Sequence, residues 1–209
     1  MIVGIADLGI GNFAAMAKMI TQLGGQPRRM TSPGELPSAS HIILPGVGSF
    51  DFAATVIDQS GWREPLLKLL SEGNRPLLGA CVGMQLLVDS SHEGHGTGLG
   101  WIPGECVRIE PPSGSGLKVP HMGWNQVTPT GPSPLFPPGP EADVDERFYF
   151  VHSYRVDCVD PNDVWATTDH GGPITAAIGR DQVMGVQFHP EKSHRFGLEL
   201  LRRFLAIQC

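Results

Sequence analysis

Pro76-Leu77-Leu78-Gly79-Ala80-Cys81-Val82-Gly83-Met84-Gln85-Leu86-Leu87-Val88 is a short apolar run, a cysteine framed by glycines, and a second apolar run. It reads as a buried strand through Gly79, a sharp turn carrying Cys81, and a helix over Met84 to Val88. Strand, tight turn and helix in that order form the repeating unit of a parallel sheet.

The same rhythm extends towards the N-terminus. Ile2 to Ala6 reads as a strand. A helix from about Asn12 follows, with Phe13, Met16, Met19, Ile20 and Leu23 on one face and Gly24-Gly25 as its stop. A short strand is expected near Arg28 to Met30, then a loop marked by Pro33, Gly34 and Pro37. His41 to Leu44 is an apolar strand ending at Pro45-Gly46-Val47-Gly48, and helices are expected over Phe52 to Ile57 and Glu64 to Leu70.

After Gly94 the rhythm changes to glycines, prolines and short β-rich runs. These are Cys106 to Ile109, Phe148 to Val151, Val164 to Thr168, Thr175 to Ile178 and Val183 to Phe188, read as antiparallel strands added to the same sheet. Phe196 to Ile207 reads as an amphipathic helix with Leu198, Leu201 and Leu205 on its buried stripe. The expectation is an α/β fold: a flavodoxin-like three-layer sandwich with a mixed, mostly parallel central sheet, helices on both faces and antiparallel additions in the C-terminal half. The Pro-rich piece from Pro129 to Pro140 is read as a surface loop within one domain spanning 1–209, because neither half has a complete core of its own.

Composition bounds the function. A 209-residue chain with 41% hydrophobic and 17% charged residues suits one sizeable core. A formal net charge of −6 without a Lys/Arg cluster argues against nucleic-acid binding. Cys81, Cys106, Cys158 and Cys209 form no C-x-x-C pair, which suits a reduced, cytoplasmic protein. No apolar run is long enough to span a membrane, and Asp7 comes too early for a signal peptide.

Gly79-Ala80-Cys81-Val82-Gly83 has the form G-x-C-x-G, the thiol counterpart of the G-x-S-x-G elbow. Such a turn lifts the nucleophile out of the sheet's end on strained backbone, and the glycines remove Cβ atoms that would collide. A following helix N-terminus favours the thiolate, and the Val82 N–H points where an oxyanion would form. Taken alone, the elbow suits a reactive thiol and a small buried hydrophobe about equally. Val186-Gln187-Phe188-His189-Pro190-Glu191 ends an apolar strand with a base and a carboxylate two residues apart. His189 and Glu191 have the chemistry to deprotonate a thiol and hold the base's tautomer, if that strand end lies beside the elbow. By itself His189 reads as a surface histidine at a turn.

Two blocks, GACVGMQLL (79–87) and GVQFHPEKS (185–193), resemble those of class I glutamine amidotransferases. With Asp7 to Asn12, Pro45 to Phe50, Val119 to Asn125 and Phe148 to Tyr154, the set is similar to that of the glutaminase subunits of imidazole glycerol phosphate synthases, from Val3 to Leu205. The resemblance implies that Cys81 attacks the side-chain amide of glutamine, His189 shuttles the proton and Glu191 orients His189. It implies an oxyanion hole from Val82 and the turn amide of Val47 or Gly48, incomplete at rest and completed when a partner docks. Gln85, His152, Ser153 and Tyr154 would contact glutamine. The partner would be the (β/α)8 cyclase barrel, which receives the ammonia, with Asn12, His121, Trp124, Asn125 and Lys192 at the interface. For Trp124, ordinary core burial is an equal reading. No cofactor or metal is implied. Related subunits feed barrels of surface-sugar pathways, a second assignment. Ala80 and Val82 depart from the larger aliphatics usual in this elbow.

Three rivals stand beside this reading. Gly9-Ile-Gly11-Asn-Phe-Ala14 fits G-x-G-x-x-A, a dinucleotide fingerprint, but no acidic residue closes a second strand about 20 residues on. His92-Glu-Gly-His95 offers a metal pair but lies among glycines, as a solvated loop would. A catalytically dead docking subunit is opposed by the intact Cys81, His189 and Glu191.

Overall fold

The computed structural model describes residues 1–138 and 145–208. Strand β1 (Ile2–Ala6), helix α1 (Phe13–Gln22), β2 (Gln26–Met30), β3 (His41–Gly46), α2 (Phe50–Gln59), α3 (Arg63–Glu72), β4 (Leu77–Cys81) and α4 (Val82–Gln85) build the first half. Side chains close the helix ends as their types dictate. Asn12 accepts a hydrogen bond from Ala15 N at 3.1 Å, and Ser49 one from Phe52 N at 3.4 Å. Residues 33–38, expected as loop, form a 3-10 turn capped by Ser32 and Glu35.

The second half supplies β5 (Ser90–Ser91), β6 (Gly104–Arg108), β7 (His121–Gln126), β8 (Thr128–Pro129), β9 (Arg147–His152), β10 (Tyr154–Cys158), β11 (Val164–Asp169), β12 (Pro173–Arg180), β13 (Val183–Val186) and α5 (His194–Ala206). The main sheet has eight strands in the order β2-β1-β3-β4-β13-β12-β11-β8. From β2 to β13 all neighbours are parallel; β12, β11 and β8 extend the edge antiparallel.

Alternation along the strands feeds two cores. Ile42, Leu44 and Leu77 face α2 and α3 through Phe50, Ile57, Leu66 and Leu70. Val3, Ile5, Ile43, Leu78 and Val186 face α1 and α5 through Met16, Ile20, Leu200, Leu201 and Phe204. The expected α/β sandwich is therefore the observed architecture.

Some expectations need correction. The later strands do not all join the main sheet: β10-β6-β5 form a three-stranded sheet and β7-β9 a two-stranded ribbon. The ribbon turns Phe148 and Phe150 onto Phe188, so it lies over the α1/α5-side core instead of extending an edge. The helix after Cys81 is one turn, not a run to Val88. Amides of residues 99–102 take the carbonyls of Leu86, Leu87 and Val88, which ends the helical ladder. On α5, Leu198 is only half-buried, and Leu200 and Phe204 join Leu201 in the core. Part of the Pro-rich stretch, 139–144, and Cys209 lie outside the described residues; Leu135 and Phe136, within that stretch, are buried in the α1/α5-side core.

The Gly83 position is among the tightest parts of this packing. A methyl group there would overlap the Leu44 carbonyl of β3, and one on Gly79 would overlap the Gly83 carbonyl. Gly83→Ala should destabilise the chain by about 3 kcal/mol, lowering the melting temperature by roughly 6–12 °C in a thermal scan. An unchanged melting temperature would contradict this packing.

Candidate active site

Cys81 ends β4 with φ 55° and ψ −112°, strained backbone for a non-glycine residue. The parallel neighbours on both sides set its surroundings. Register pairs Gly46 of β3 with Cys81, and Val186 of β13 with Ala80. The chain leaving β13 therefore passes directly beside the thiol, at the carboxyl ends of the parallel strands. This chain carries Gln187, His189 and Glu191. Because α4 is a single turn, its dipole contributes little to the thiolate. The charged group beside the sulfur is His189.

His189 is buried, and its Nδ1 pairs with Glu191 Oε1 at 2.8 Å. That bond places the Nδ1 proton towards the carboxylate and leaves Nε2 for the thiol. Nε2 is buried without an oxygen or nitrogen partner, and the group it faces is the Cys81 thiol. Burial disfavours the imidazolium, but hydrogen bonding and charge attraction from Cys81 and Glu191 outweigh it and raise the His189 pKa to about 9.

A cavity of about 220 Å³ opens on the other side of Cys81. It is lined by Gly48, Val82, Gln85, Glu93, His152, Ser153 and Tyr154 among others. Drug-sized sites span roughly 300–1,000 Å³, so this space suits one amino acid. The structure thus gathers Cys81, Val82, Gly48 and all four predicted glutamine contacts around one space. Val47 is not among them. Its N–H donates to Ile10 O at 2.5 Å, and its side chain is 44% exposed. A larger cavity of about 510 Å³ lies between β6, β10 and the 170–174 turn, and holds none of the predicted residues.

Gln85 enters differently from expectation. Its Nε2 donates to Tyr154 O at 3.2 Å and to Gln187 Oε1 at 3.1 Å, so only its carbonyl oxygen remains for a substrate. Glu93 is a site residue that sequence reasoning missed. It accepts from Phe50 N at 2.7 Å and is the acidic residue lining the cavity. The 92–98 loop was read as solvated, but Asp51 accepts from His95 N at 3.0 Å and Gly96 N at 2.6 Å and holds it down. Its closely spaced glycines, which a solvated loop shares, serve here to let it pack: a methyl group at Gly94 would overlap the Asp51 carboxylate. His92 pairs with Glu105 at 3.1 Å. Gly11 of the dinucleotide-like motif packs on the Pro45 ring.

The predicted interface residues divide. Asn12, Trp124 and Lys192 are exposed, Trp124 by 47%, which removes the core reading of Trp124; its ring stacks on His194 at 5.5 Å. His121 is buried, against expectation, because strand alternation turns it inward while Met122 (61% exposed) and Trp124 face out. Its Nδ1 bonds His152 Nε2 at 3.0 Å, and its Nε2 meets half-buried Asn125 Nδ2 at 3.1 Å. Met122 gave no sequence signal beyond ordinary strand alternation.

Comparison with known proteins is consistent with this geometry. The family model for glutamine amidotransferase class-I matches residues 28–207. A protein of Leptospira interrogans named "Imidazole glycerol phosphate synthase subunit HisH" is 43% identical over 206 residues, covering 98% of this chain and 100% of that protein. One of Bdellovibrio bacteriovorus with the same name is 43% identical over 204 residues, covering 97% and 98%. A solved structure titled "Crystal structure of glutamine amidotransferase" aligns at TM-score 0.72 and 19% identity, covering 97% of this chain and 96% of that one.

The buried histidines carry a pH signature. Burial pushes His121 down to about 4 and His152 down to about 3, with neighbouring histidines adding to the shift. Both remain neutral in the native chain where the unfolded chain takes up a proton. Stability should therefore be unaffected by them above about pH 6.5 and fall as pH drops towards 4, by up to roughly 1.4 kcal/mol per unit for each residue. In urea unfolding at pH 7, 6 and 5, His121→Gln should flatten that decline; a slope equal to wild type would refute the assignment.

Proposed function

This chain belongs to the class-I glutamine amidotransferase family, and from that premise we propose that it is a glutaminase subunit of an imidazole glycerol phosphate synthase. The carrying observation is the strained Cys81 facing His189 and Glu191 on one side and an amino-acid-sized cavity on the other. Relatives bearing that subunit name and matched over 97% or more of this chain support the assignment over the dinucleotide reading, and the intact Cys81, His189 and Glu191 oppose a dead subunit.

Cys81 Sγ, as thiolate, attacks the side-chain carbonyl carbon of glutamine. The carbonyl oxygen gains charge and is held by the Val82 N–H and a second amide from the Val47-Gly48 turn. His189 Nε2–H protonates the departing nitrogen, and ammonia leaves a glutamyl thioester. His189 then takes a proton from water, which attacks the thioester, expels the thiolate and releases glutamate. Glu191 keeps the Nδ1 proton in place throughout. At the amino-acid end, the Gln85 carbonyl oxygen and the Glu93 carboxylate are acceptors for the substrate's α-ammonium group.

The resting site has a nucleophile but an unfinished oxyanion hole. Val47 N–H is tied to Ile10 O, and Gly48, with φ 107°, lines the cavity. Rotation of the Val47-Gly48 peptide would turn the Gly48 N–H to the oxyanion, and glycine permits the change. One such donor is worth about 10²–10³ in turnover. The exposed Val47, Asn12, Met122, Trp124 and Lys192 offer a (β/α)8 cyclase barrel a surface through which to trigger it. We place the chain in the cytoplasm as one amidotransferase domain.

Isolated chain should release glutamate slowly, and addition of the cyclase barrel with its ligand should raise the rate by about 10² or more. Equal rates with and without the barrel would overturn the gating. Cys81→Ala should abolish glutamine-dependent synthesis and leave ammonia-dependent synthesis intact; glutamate release by that variant would overturn the assignment. The imidazolium of His189 should persist to about pH 9. Glu191→Gln removes the charge that favours it, so the alkaline limb of the activated rate should move down by about one pH unit or more. A limb that stays in place would show that Glu191 does not set the ionisation of His189.

A further inference from the structure

Gln187 follows β13 and precedes His189 by two residues, so it shares the side of the strand end that meets Cys81. It is completely buried. A buried carboxamide is costly unless both its ends are bonded, and here both ends are. Gln187 Nε2 lies 3.8 Å from Cys81 Sγ, and Gln187 Oε1 accepts from Gln85 Nε2 at 3.1 Å.

The polarity of this arrangement is fixed by a group that can only accept. Tyr154 O takes a hydrogen bond from His152 Nδ1 at 2.8 Å and one from Gln85 at 3.2 Å. The Gln85 atom facing that carbonyl must be its NH₂. The second hydrogen of that NH₂ points at Gln187, so the facing atom of Gln187 must be oxygen. What remains towards the sulfur is the Gln187 N–H. Reversing either amide would set two acceptors or two donors against each other in a dry interior.

We propose that Gln187 is a further catalytic residue of this site, donating its side-chain N–H to Cys81 Sγ so as to hold and aim the thiolate. The proposal rests on Cys81 being the nucleophile. On attack, a sulfur electron pair forms the S–C bond and the charge passes to the carbonyl oxygen, so the N–H···S bond slackens. When water breaks the thioester, the S–C pair returns to sulfur and the bond tightens on the leaving thiolate. The donor therefore acts on the second half of the reaction as well as on the resting thiol. His189 supplies the mobile proton; Gln187 supplies a fixed one that never transfers.

The test is the pH dependence of iodoacetamide alkylation of Cys81 in the full chain, followed by mass spectrometry, with Cys81→Ala as background. Gln187→Met keeps the unbranched length and removes the donor. Gln187→Glu keeps the shape and the acceptor for Gln85, and sets a carboxylate against the sulfur. Hydrogen bonds to charged groups are the stronger kind, so Gln187→Met should slow alkylation near pH 7 about tenfold and move its acid limb up by about one unit. Gln187→Glu should move the limb further in the same direction, and Gln187→Leu, which also lacks the donor without adding a charge, decides the matter if the Met variant fails to fold. Wild-type profiles in the folded variants would overturn the role of Gln187. If wild-type Cys81 reacts no faster than Cys106 or Cys158, the nucleophile reading itself fails.

Discussion

The approach of Gly83 to the Leu44 carbonyl is the constraint on which this structure turns. Two strands and a helical turn meet there with no room for a Cβ. The chain reaches this close approach by reversing sharply at Cys81, where φ is 55°. The proposed nucleophile is thus displayed by backbone geometry and not by a flexible side chain, and the sheet on both sides over-determines the strain. Parallel pairing of β4 with β3 and β13 then delivers the P-G-V-G turn to one flank and the H-P-E segment to the other. The site follows from the sheet order.

Local and medium-range features were legible in the residues. The strand-elbow-helix unit, the strand ending in Pro45 and the H-P-E segment each follow from apolar runs and their glycine and proline stops. What periodicity could not fix was where the second-half strands go. Phe148 and Phe150 look the same in a strand of the main sheet as in a ribbon lying over the core beside α1 and α5, because both settings bury alternate residues. His121 failed for a related reason: a polar residue within a matching motif looks like a surface contact, yet alternation turns it inward and exposes Met122 and Trp124. Glu93 was hidden by its setting among glycines, a composition shared by mobile loops and by loops pressed tightly against a neighbour. The carbonyls that stop α4 after one turn are taken by residues 99–102, a tertiary competition that no local pattern records.

The buried polar groups around Cys81 divide into two kinds. His121, His152, Gln85 and Gln187 form chains in which each member has a partner and a forced direction, all converging on the Tyr154 carbonyl. Saturated networks of this type rigidify a site. His189 Nε2 and Glu191 Oε2 are different, being buried without an oxygen or nitrogen partner. Such groups are rare in stable interiors and are tolerated where chemistry needs them. The first kind holds the pocket still, and the second is where protons and substrate arrive.

Under the proposed function, that division explains why activation would belong at the Val47-Gly48 turn and not at the thiol. Cys81, His189 and Gln187 sit on the ends of central strands, which cannot shift without disturbing both cores. The Pro45 to Gly48 turn hangs beyond β3, and Val47 N–H spends its one donor on Ile10 O of the β1-α1 turn. A single hydrogen bond is worth only about 0.5–1.5 kcal/mol net. A docked surface can offset a change of that size in the turn, whereas rebuilding the elbow would oppose the whole sheet. In the proposed function, a gate placed at that turn beside a rigid nucleophile would keep the thiol poised while withholding the oxyanion donor, so that glutamine cleavage would wait on the presence of an ammonia acceptor.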